Sequence, residues 1–507
     1  ADKATIELIS QEDVIDYVEK PKSLYYQIER TKTAACVGSV RADGNILSGK
    51  GVIVGVIDTG IDIFDNAFRN SDGTTRILNI YDQTTGEKYD KQSIDEYIRL
   101  NEDLSGGTFS YDNAPGVDNI MHGTDVSYIA AGSLGVAYEA DIIAVKMGYS
   151  INNQFPRTTS LMDAIDYIIR KAIEYRKPVA VNISYGCNYG AHNGNTLLES
   201  FIDDISKSYR CVICVGSGNE ADKAIHFGGI INTGQVQTAY LSVGEYQSAI
   251  DIQIWKNYWD TIDVMLINPR GEQIGIITEG RINRYETYNT EIITLLGEPS
   301  PYNIYQEIYI NLIPKTDYIL SGIWQIVLMA GSIRAGEYNI WLPSSQALGY
   351  ATAFNNPTAD GTITIPATAR NCIAVGAYNA YTNSYAAFSG RGFDNSIRNV
   401  NAGVKPDITA PGVDISIARQ RGNDITYRNV TGTSYAVPVV TGAAALLMQW
   451  GIVMGNDRFM YGEKLKAALI DGSKPVGLVG ITRNDNQPDT RTGWGAVCLK
   501  NTLNKIL

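Results

Sequence analysis

The sequence of 507 residues predicts an α/β fold, in which a mostly parallel sheet is flanked by helices and is interrupted by an all-β insertion. Two observations lead to this fold class. Continuous apolar runs alternate with amphipathic stretches in two separate parts of the chain, as buried strands alternate with covering helices. Between these parts, from about residue 226 to about residue 349, short runs alternate apolar and polar residues.

The first part contains four apolar runs and two amphipathic stretches. A continuous apolar run is typical of a strand that is buried on both faces, whereas apolar residues on one helical stripe indicate a helix. We expect strands at Val52–Ile57, Ile142–Val145, Val179–Ile183 and Cys211–Val215, and helices at residues 159–173 and 195–209.

The middle part is rich in tyrosine, isoleucine and tryptophan. Its alternating runs include Ile250–Trp255, Val264–Glu272 and Tyr338–Pro343, and turn signals such as residues 268–271 (NPRG) separate them. This pattern predicts an antiparallel sandwich or jelly roll.

After residue 352 the α/β pattern returns, with a strand expected at Cys372–Ala377 and helices at Tyr435–Trp450 and Gly462–Ile470. We therefore predict four segments: an N-terminal segment (residues 1–45), a first α/β part (46–225), the β-rich insertion (226–352) and a second α/β part (353–507).

Composition excludes some classes of function. The formal net charge of −12 makes nucleic acid an improbable partner, because phosphate binding needs a basic surface. No apolar run reaches the length of a membrane span. The longest, Val437–Trp450, is interrupted by polar residues and predicts a helix buried inside a globule.

Six cysteines are scattered along the chain. Cys211 and Cys214 have CxxC spacing, but they lie in an apolar run with no second such pair and no nearby histidine. Buried thiols are therefore favoured over a zinc site or a redox pair, and a disulfide-stapled scaffold is not indicated.

Three residues stand where catalytic groups are expected. Asp58 ends a buried strand, and open α/β sheets place their sites at the carboxyl ends of strands. His122 and Ser434 each come at the start of a predicted helix, where free N–H groups favour negative charge. Taken singly, each would more often be a turn aspartate, a structural or surface histidine, or a serine helix cap.

Together these residues resemble the signature blocks of the subtilases. The blocks are residues 56–62 (VIDTGID), 122–124 (HGT) and 432–438 (GTSYAVP), and their order of Asp, His, Ser is that of subtilisin. The resemblance covers most of the chain outside the insertion. It implies a subtilisin-like fold and a serine endopeptidase that acts on protein or peptide substrates.

The resemblance also assigns site residues. Asn219 in GSGNE would donate its amide to the oxyanion, together with the Ser434 N–H. The expected substrate-binding residues are Ser184, Tyr185, Gly186, Ser217 and Gly218. Residues 405–412 (KPDITAPG) match the family's block before the nucleophile.

Two departures from the family's pattern affect the surroundings of the triad. Asp125 follows HGT where many subtilases have a second histidine, and Tyr138 stands where proline is usual. The chain opens at Ala1 without an initiator methionine or a signal peptide, so we expect a processed or trimmed start. The family's inhibitory prodomain is not evident in front of Ala1, and we keep the chain's own propeptide as a candidate partner.

No cofactor is expected. Subtilases often bind calcium, and residues 62–65 and 484–486 are acid-rich, but neither has a complete set of ligands. Glu220 and Asp222 follow Asn219, so a preference for basic substrate residues is conceivable, although solvated loop charges are the simpler interpretation.

Two rival activities have less support in the sequence. An α/β-hydrolase needs G-x-S-x-G and the chain order Ser, acid, His, neither of which is present. A pseudoprotease that only binds or signals would have lost triad members, which this chain keeps.

Architecture, acidic composition and residues 363–378 (ITIPATARNCIAVGAY) resemble the clostridial Csp germination proteases. This resemblance implies a processing protease that activates the zymogen of a spore cortex hydrolase. It places the chain outside the cytoplasm or in the spore. A secreted protease of broad specificity is the alternative.

Overall fold

The computed structural model describes residues 27–38, 40–42, 44–105, 114–148, 156–277, 282–299, 301, 303–393, 403–421, 424–477 and 487–507. The α-helices in these ranges are Gln27–Ala34 (α1), Lys91–Ser105 (α2), His122–Ala131 (α3), Thr158–Tyr175 (α4), Leu197–Ser208 (α5), Thr433–Met448 (α6), Gly462–Asp471 (α7) and Leu499–Ile506 (α8).

The strands fall into three groups along the chain. Before the insertion they are Arg41–Ala42 (β1), Asn45–Ile46 (β2), Ile53–Asp58 (β3), Ile77–Asp82 (β4), Glu87–Asp90 (β5), Asp141–Lys146 (β6), Val179–Ile183 (β7) and Cys211–Gly216 (β8). In the insertion, and directly after its predicted end at residue 352, they are His226–Ile230 (β9), Val236–Val243 (β10), Ile250–Asn257 (β11), Ile262–Ile267 (β12), Gln273–Ile276 (β13), Ile282–Glu286 (β14), Thr290–Leu296 (β15), Tyr305–Pro314 (β16), Gly322–Ala330 (β17), Glu337–Trp341 (β18) and Ala353–Phe354 (β19). After it they are Ile373–Asn379 (β20), Ser384–Tyr385 (β21), Ile408–Pro411 (β22), Ile415–Arg421 (β23) and Asp424–Val430 (β24).

The central sheet has the order β21-β20-β8-β7-β3-β6-β4-β5, and β22 also pairs with β20. Its inner pairs are parallel, and only β5 and β21 at its edges pair antiparallel. All six residues of β3 are buried, which explains why this strand is a continuous apolar run. The predicted α/β fold with a mostly parallel sheet is confirmed.

Helices cover both faces of this sheet. Val54 and Val56 pack in one core with residues of α3 and α6, whereas Ile53 and Ile57 pack in a second core with residues of α4 and α5. Successive side chains of a strand point to opposite faces, so β3 contributes to both cores. The strand that ends at Asp58 is thereby held from both sides.

Helix α6 is the central element of one core. With the π-helical turn Gln449–Val453 it forms a segment of 21 residues that is long and apolar enough to cross a membrane, but 83% of its most apolar window is buried in the protein. This confirms the predicted buried helix, which begins two residues earlier than expected because Thr433 and Ser434 form its first turn.

The insertion consists of two antiparallel sheets, with orders β13-β12-β17-β10-β19 and β14-β15-β16-β11-β18-β9. Apolar residues of both sheets, such as Val264 and Ile310, share one hydrophobic core, so the sheets pack face to face. None of these strands pairs with a described strand of the central sheet. The sandwich that the alternating pattern predicted is therefore confirmed. That this sandwich is an independent domain stays a prediction.

Trp341 connects the sandwich to the α/β part. Its ring stacks against His192 at a centroid distance of 4.1 Å and against His226 at 4.9 Å, and its Nε1 donates to the Gly361 carbonyl at 2.9 Å. Both histidines are buried and hydrogen-bonded. Two of the three histidines in the sequence are thus structural.

The cysteines follow the prediction in part. Cys211 and Cys214 are buried free thiols, and burial raises the pKa of each to about 12. A disulfide between Cys36 and Cys498, 462 residues apart, was not predicted, because no spacing rule connects such distant positions. It ties the turn after α1 to the start of α8.

Replacing Trp341 by alanine should lower the free energy of unfolding by about 3–5 kcal/mol, because it removes a buried ring and leaves a cavity between two histidines. Denaturant unfolding would measure the change. Tyr350→Ala is the control, since that side chain is 98% exposed and should change stability by no more than about 0.5 kcal/mol. Equal effects of the two substitutions would contradict the role of Trp341.

Candidate active site

Asp58 and His122 form a hydrogen-bonded pair. Asp58 lies at the carboxyl end of β3 and is buried, and Nδ1 of His122 lies 2.7 Å from its Oδ1. The backbone N–H of Thr59 donates to the same oxygen at 2.8 Å. Since the carboxylate can only accept, Nδ1 carries the proton and Nε2 is left as a base.

His122 is the first residue of α3. Burial lowers its pKa, but attraction and hydrogen bonding to Asp58 outweigh burial, so the pKa lies above its ordinary value. Asp118 raises it further, whereas Arg428 lowers it. The Asp58 carboxylate therefore stabilises the imidazolium that forms when His122 accepts a proton.

Ser434 lies in the first turn of α6, and neighbouring contacts bring this turn to His122. The ring centroids of Tyr435 and His122 lie 5.2 Å apart. On the other side, the hydroxyl of Ser184 donates to the Ser434 carbonyl at 3.3 Å. Gly432 precedes this turn with a φ of 155°, a conformation that L side chains rarely adopt.

Asn219 is oriented by the same helix end. Its Oδ1 accepts from the Thr433 N–H and from the Thr433 hydroxyl, both at 3.0 Å. This leaves Nδ2 as a donor, 3.6 Å from where a Cβ on Gly432 would lie. The amide donor and the N-terminus of α6 thus converge on one place, which suits an oxyanion.

Thr364, which the sequence analysis did not single out, lies between the two expected substrate-binding segments. A Cβ on Gly186 would lie 2.4 Å from Oγ1 of Thr364, and one on Gly218 would lie 2.5 Å from its Cγ2. Thr364 thus fills the gap between residues 184–186 and residues 217–218. It belongs to the stretch 363–378, which gave a resemblance but no role for any single residue.

Ser217 does not face this gap. It is buried, its Oγ lies 3.3 Å from the Ser389 hydroxyl, and its carbonyl accepts from the Thr364 N–H. Its N–H donates to the Val375 carbonyl, so its polar groups are engaged inside the protein.

Glu220 is not a solvated loop charge. Its carboxylate is buried and accepts from the Ser344 hydroxyl at 2.8 Å and from the Ser345 N–H at 3.1 Å, both in the insertion. Asp222, in contrast, pairs with Lys223 at the surface. Glu220 therefore holds the insertion to the segment that carries Asn219 and is not available to a basic substrate residue.

The two carboxylates of the acid-rich segment at residues 62–65 contact groups of the protein itself. Oδ2 of Asp62 pairs with Arg421 at 2.6 Å, and Asp65 caps a short 3-10 helix by accepting from the Ala67 N–H. Burial raises the pKa of Asp65 to about 6. Both carboxylates have partners in the protein, and the second segment, residues 484–486, lies outside the described residues.

Comparison with known proteins agrees with this geometry. The model of the subtilase family matches residues 49–300 and 335–495. Curated relatives match over short stretches: the subtilase-type proteinase RRT12 of Saccharomyces cerevisiae is 33% identical over 25% of this chain and 23% of its own length. Subtilisin E of Bacillus subtilis is 38% identical over 21% of this chain and 24% of its own length.

A solved structure matches nearly the whole chain. The Clostridium perfringens CspB protease is 34% identical, with a TM-score of 0.84 over 94% of this chain and 97% of that one. This match includes most of the insertion and confirms the predicted resemblance to the clostridial Csp proteases. The chain therefore belongs to the subtilase family of serine endopeptidases.

Proposed function

We propose that this chain hydrolyses peptide bonds of proteins through an acyl-enzyme, with Ser434 as the nucleophile. His122 is the general base and acid, Asp58 orients it, and Asn219 donates to the oxyanion. The hydrogen bond of 2.7 Å between Asp58 and His122 is the observation that carries this proposal, because it leaves Nε2 of the imidazole free to accept a proton.

Each group has a defined task. His122 takes the hydroxyl proton of Ser434 as the oxygen attacks the scissile carbonyl, and later gives that proton to the leaving amine. Negative charge that develops on the carbonyl oxygen meets Nδ2 of Asn219 and the N–H groups at the start of α6. Asp58 stays ionised and stabilises the imidazolium.

The substrate is an extended peptide that binds along residues 184–186. Main-chain pairing at such an edge accepts many sequences, so selectivity depends on the pockets and on access to the cleft. The pseudoprotease alternative has less support, since every residue of the proposed machinery is present and Asp58, His122 and Asn219 are oriented for their tasks.

The biological role we favour is limited processing of a zymogen. Its support is the similarity to the CspB protease along nearly the whole chain. A role of the sandwich in restricting entry to the cleft is supported by Glu220, which ties the sandwich to the segment that carries Asn219. We place the chain outside the cytoplasm or in the spore. The alternative is a secreted protease of broad specificity.

Ser434→Ala should remove peptide hydrolysis except for the roughly 10³-fold acceleration over water that oxyanion binding and positioning supply. Steady-state cleavage of a fluorogenic peptide would measure it, and a fluorophosphonate probe should label wild-type protein but not the variant. Ser416→Ala, a serine on the hairpin before α6, is the control and should be labelled like wild type. Labelling of Ser434→Ala would refute the nucleophile.

Asn219→Ala should lower kcat by about 10²–10³ with a smaller change in KM, because the lost donor acts mainly on the transition state. Asn232→Ala removes an exposed turn asparagine of the insertion and should change neither constant. An unchanged kcat in Asn219→Ala would show that Asn219 has no oxyanion role.

Digestion of denatured casein beside a folded candidate zymogen should separate the two biological roles. A processing protease should cut the zymogen at one or a few sites and casein slowly, because its cleft rejects most peptides. Mass spectrometry of the products would count the cuts. Rapid cleavage of casein at many sites, without a discrete cut in the zymogen, would favour the secreted protease.

A further inference from the structure

A β-hairpin rich in arginine directly precedes the helix that carries Ser434. It consists of β23 and β24, residues 415–430, and we call it the arginine hairpin. Its described residues include three arginines, Arg419, Arg421 and Arg428. It ends four residues before Ser434, so its position and that of the nucleophile are closely connected.

The strand register brings all three arginines to one face. Arg428 stands opposite Ile417, and Arg419 is two residues further along the same strand as Ile417. Residues two apart lie on the same face, so Arg419 and Arg428 are diagonal neighbours on the face that buries Ile417. This face packs towards α3, the helix that starts with His122.

Both arginines bind the chain on either side of His122. Arg419 donates from Nε to Oδ1 of Asp125 at 3.0 Å and from Nη2 to the Met121 carbonyl at 2.9 Å. Arg428 donates from Nη2 to the same carbonyl at 3.3 Å and forms an ion pair with Oδ2 of Asp125. They therefore bind the residue before His122 and the residue three after it.

The two anchor points require such partners. Asp125 is fully buried, and an unpaired carboxylate in that place would be strongly destabilising. Met121 has a φ of 67°, a left-handed conformation that a non-glycine residue keeps only where surrounding contacts hold it. Other side chains meet the N–H groups at this end of α3, since Gly123 donates to the Thr59 hydroxyl at 2.9 Å and Thr124 donates to Oδ2 of Asp118 at 2.8 Å. The arginines, which can only donate, act instead on the Met121 carbonyl and the Asp125 carboxylate.

We propose that Arg419, assisted by Arg428, is a positioning residue that holds His122 in register with Ser434 through Met121 and Asp125. The hairpin then connects the base and the nucleophile directly. Asp125, a departure from the family's usual pattern, becomes the buried counterion of this clamp. The inference rests on the proposed serine-protease function and adds a residue that acts through His122.

The charge of the hairpin also acts on His122. The groups that face the imidazole are Asp58 and Asp118, which raise its pKa, and Arg428, which lowers it. The Tyr435 ring lies against it, and Arg419 and Asp125 largely neutralise each other. Removal of the Arg428 charge should raise the pKa of His122, so the acid limb of kcat/KM should move to higher pH.

Arg419→Lys tests the clamp, because lysine keeps the charge but cannot reach Met121 and Asp125 together. We expect kcat to fall about 10- to 100-fold with KM within about twofold, since a small misplacement of a catalytic group has effects of this size. Arg421→Lys is the matched control: it weakens an ion pair of the same strand, to Asp62, and should lower kcat less than about threefold.

A pH profile separates positioning from a purely structural role. Arg428→Gln should shift the acid limb of kcat/KM upward, whereas Arg419→Lys should lower the plateau without moving that limb. Thermal unfolding of each variant records any loss of fold. The inference is overturned if Arg419→Lys and Arg421→Lys lose activity equally. It is also overturned if the acid limb of the kcat/KM profile of Arg428→Gln lies at the same pH as that of the wild type.

A paired substitution covers the case in which Arg419→Lys does not fold. Asp125→Asn with Arg419→Gln keeps a hydrogen bond and leaves no unpaired buried charge. A folded double variant with lowered kcat supports the clamp, and one with wild-type kcat overturns it. The proposed function fails separately, if wild-type protein does not cleave peptides or if Ser434→Ala cleaves them equally well.

Discussion

The hydrogen bond between Asp58 and His122 is the contact on which the site depends. It joins the carboxyl end of a strand buried on both faces to the start of a helix 64 residues later. The strand can deliver Asp58 to this point only because cores on both sides fix its position. An exposed edge strand would allow the carboxylate more movement, and the imidazole would lose its orientation.

A second constraint is that several helix starts meet at one end of the sheet. His122 and Ser434 lie in the first turns of α3 and α6, and Asn219 is oriented by Thr433 of α6. Helix N-termini supply N–H groups that are not engaged within the helix. In the proposed mechanism, backbone groups that the fold already provides at the start of α6 stabilise the negative charge, together with the side chain of Asn219.

The sequence was informative where a single local rule determines the structure. The parallel strands could be recognised as apolar runs because they are buried on both faces. The change to alternating polarity indicated the sandwich, because the polarity of each residue shows whether its face of the sheet is buried. The candidate triad followed from three short blocks and their order. These features depend on residues that are close together in the sequence, so they can be predicted from the sequence alone.

Other features depend on contacts between distant residues. Thr364 lies between Gly186 and Gly218, which are far from it in the sequence. No local sequence pattern predicts this proximity. Asp125 could be recognised as unusual, but its partner Arg419 is 294 residues away. Likewise, Glu220 looked like a loop charge, since its two serine partners belong to another part of the chain.

The position of Glu220 has a consequence for dissecting the molecule. It follows Asn219 directly, and the sandwich supplies the hydrogen bonds that its buried carboxylate accepts. Excision of the sandwich would thus remove the hydrogen-bond donors of a buried carboxylate next to Asn219, the proposed oxyanion donor. The sandwich and the α/β part are therefore joined by a buried charge next to the proposed site, and a cut at this junction would disturb both.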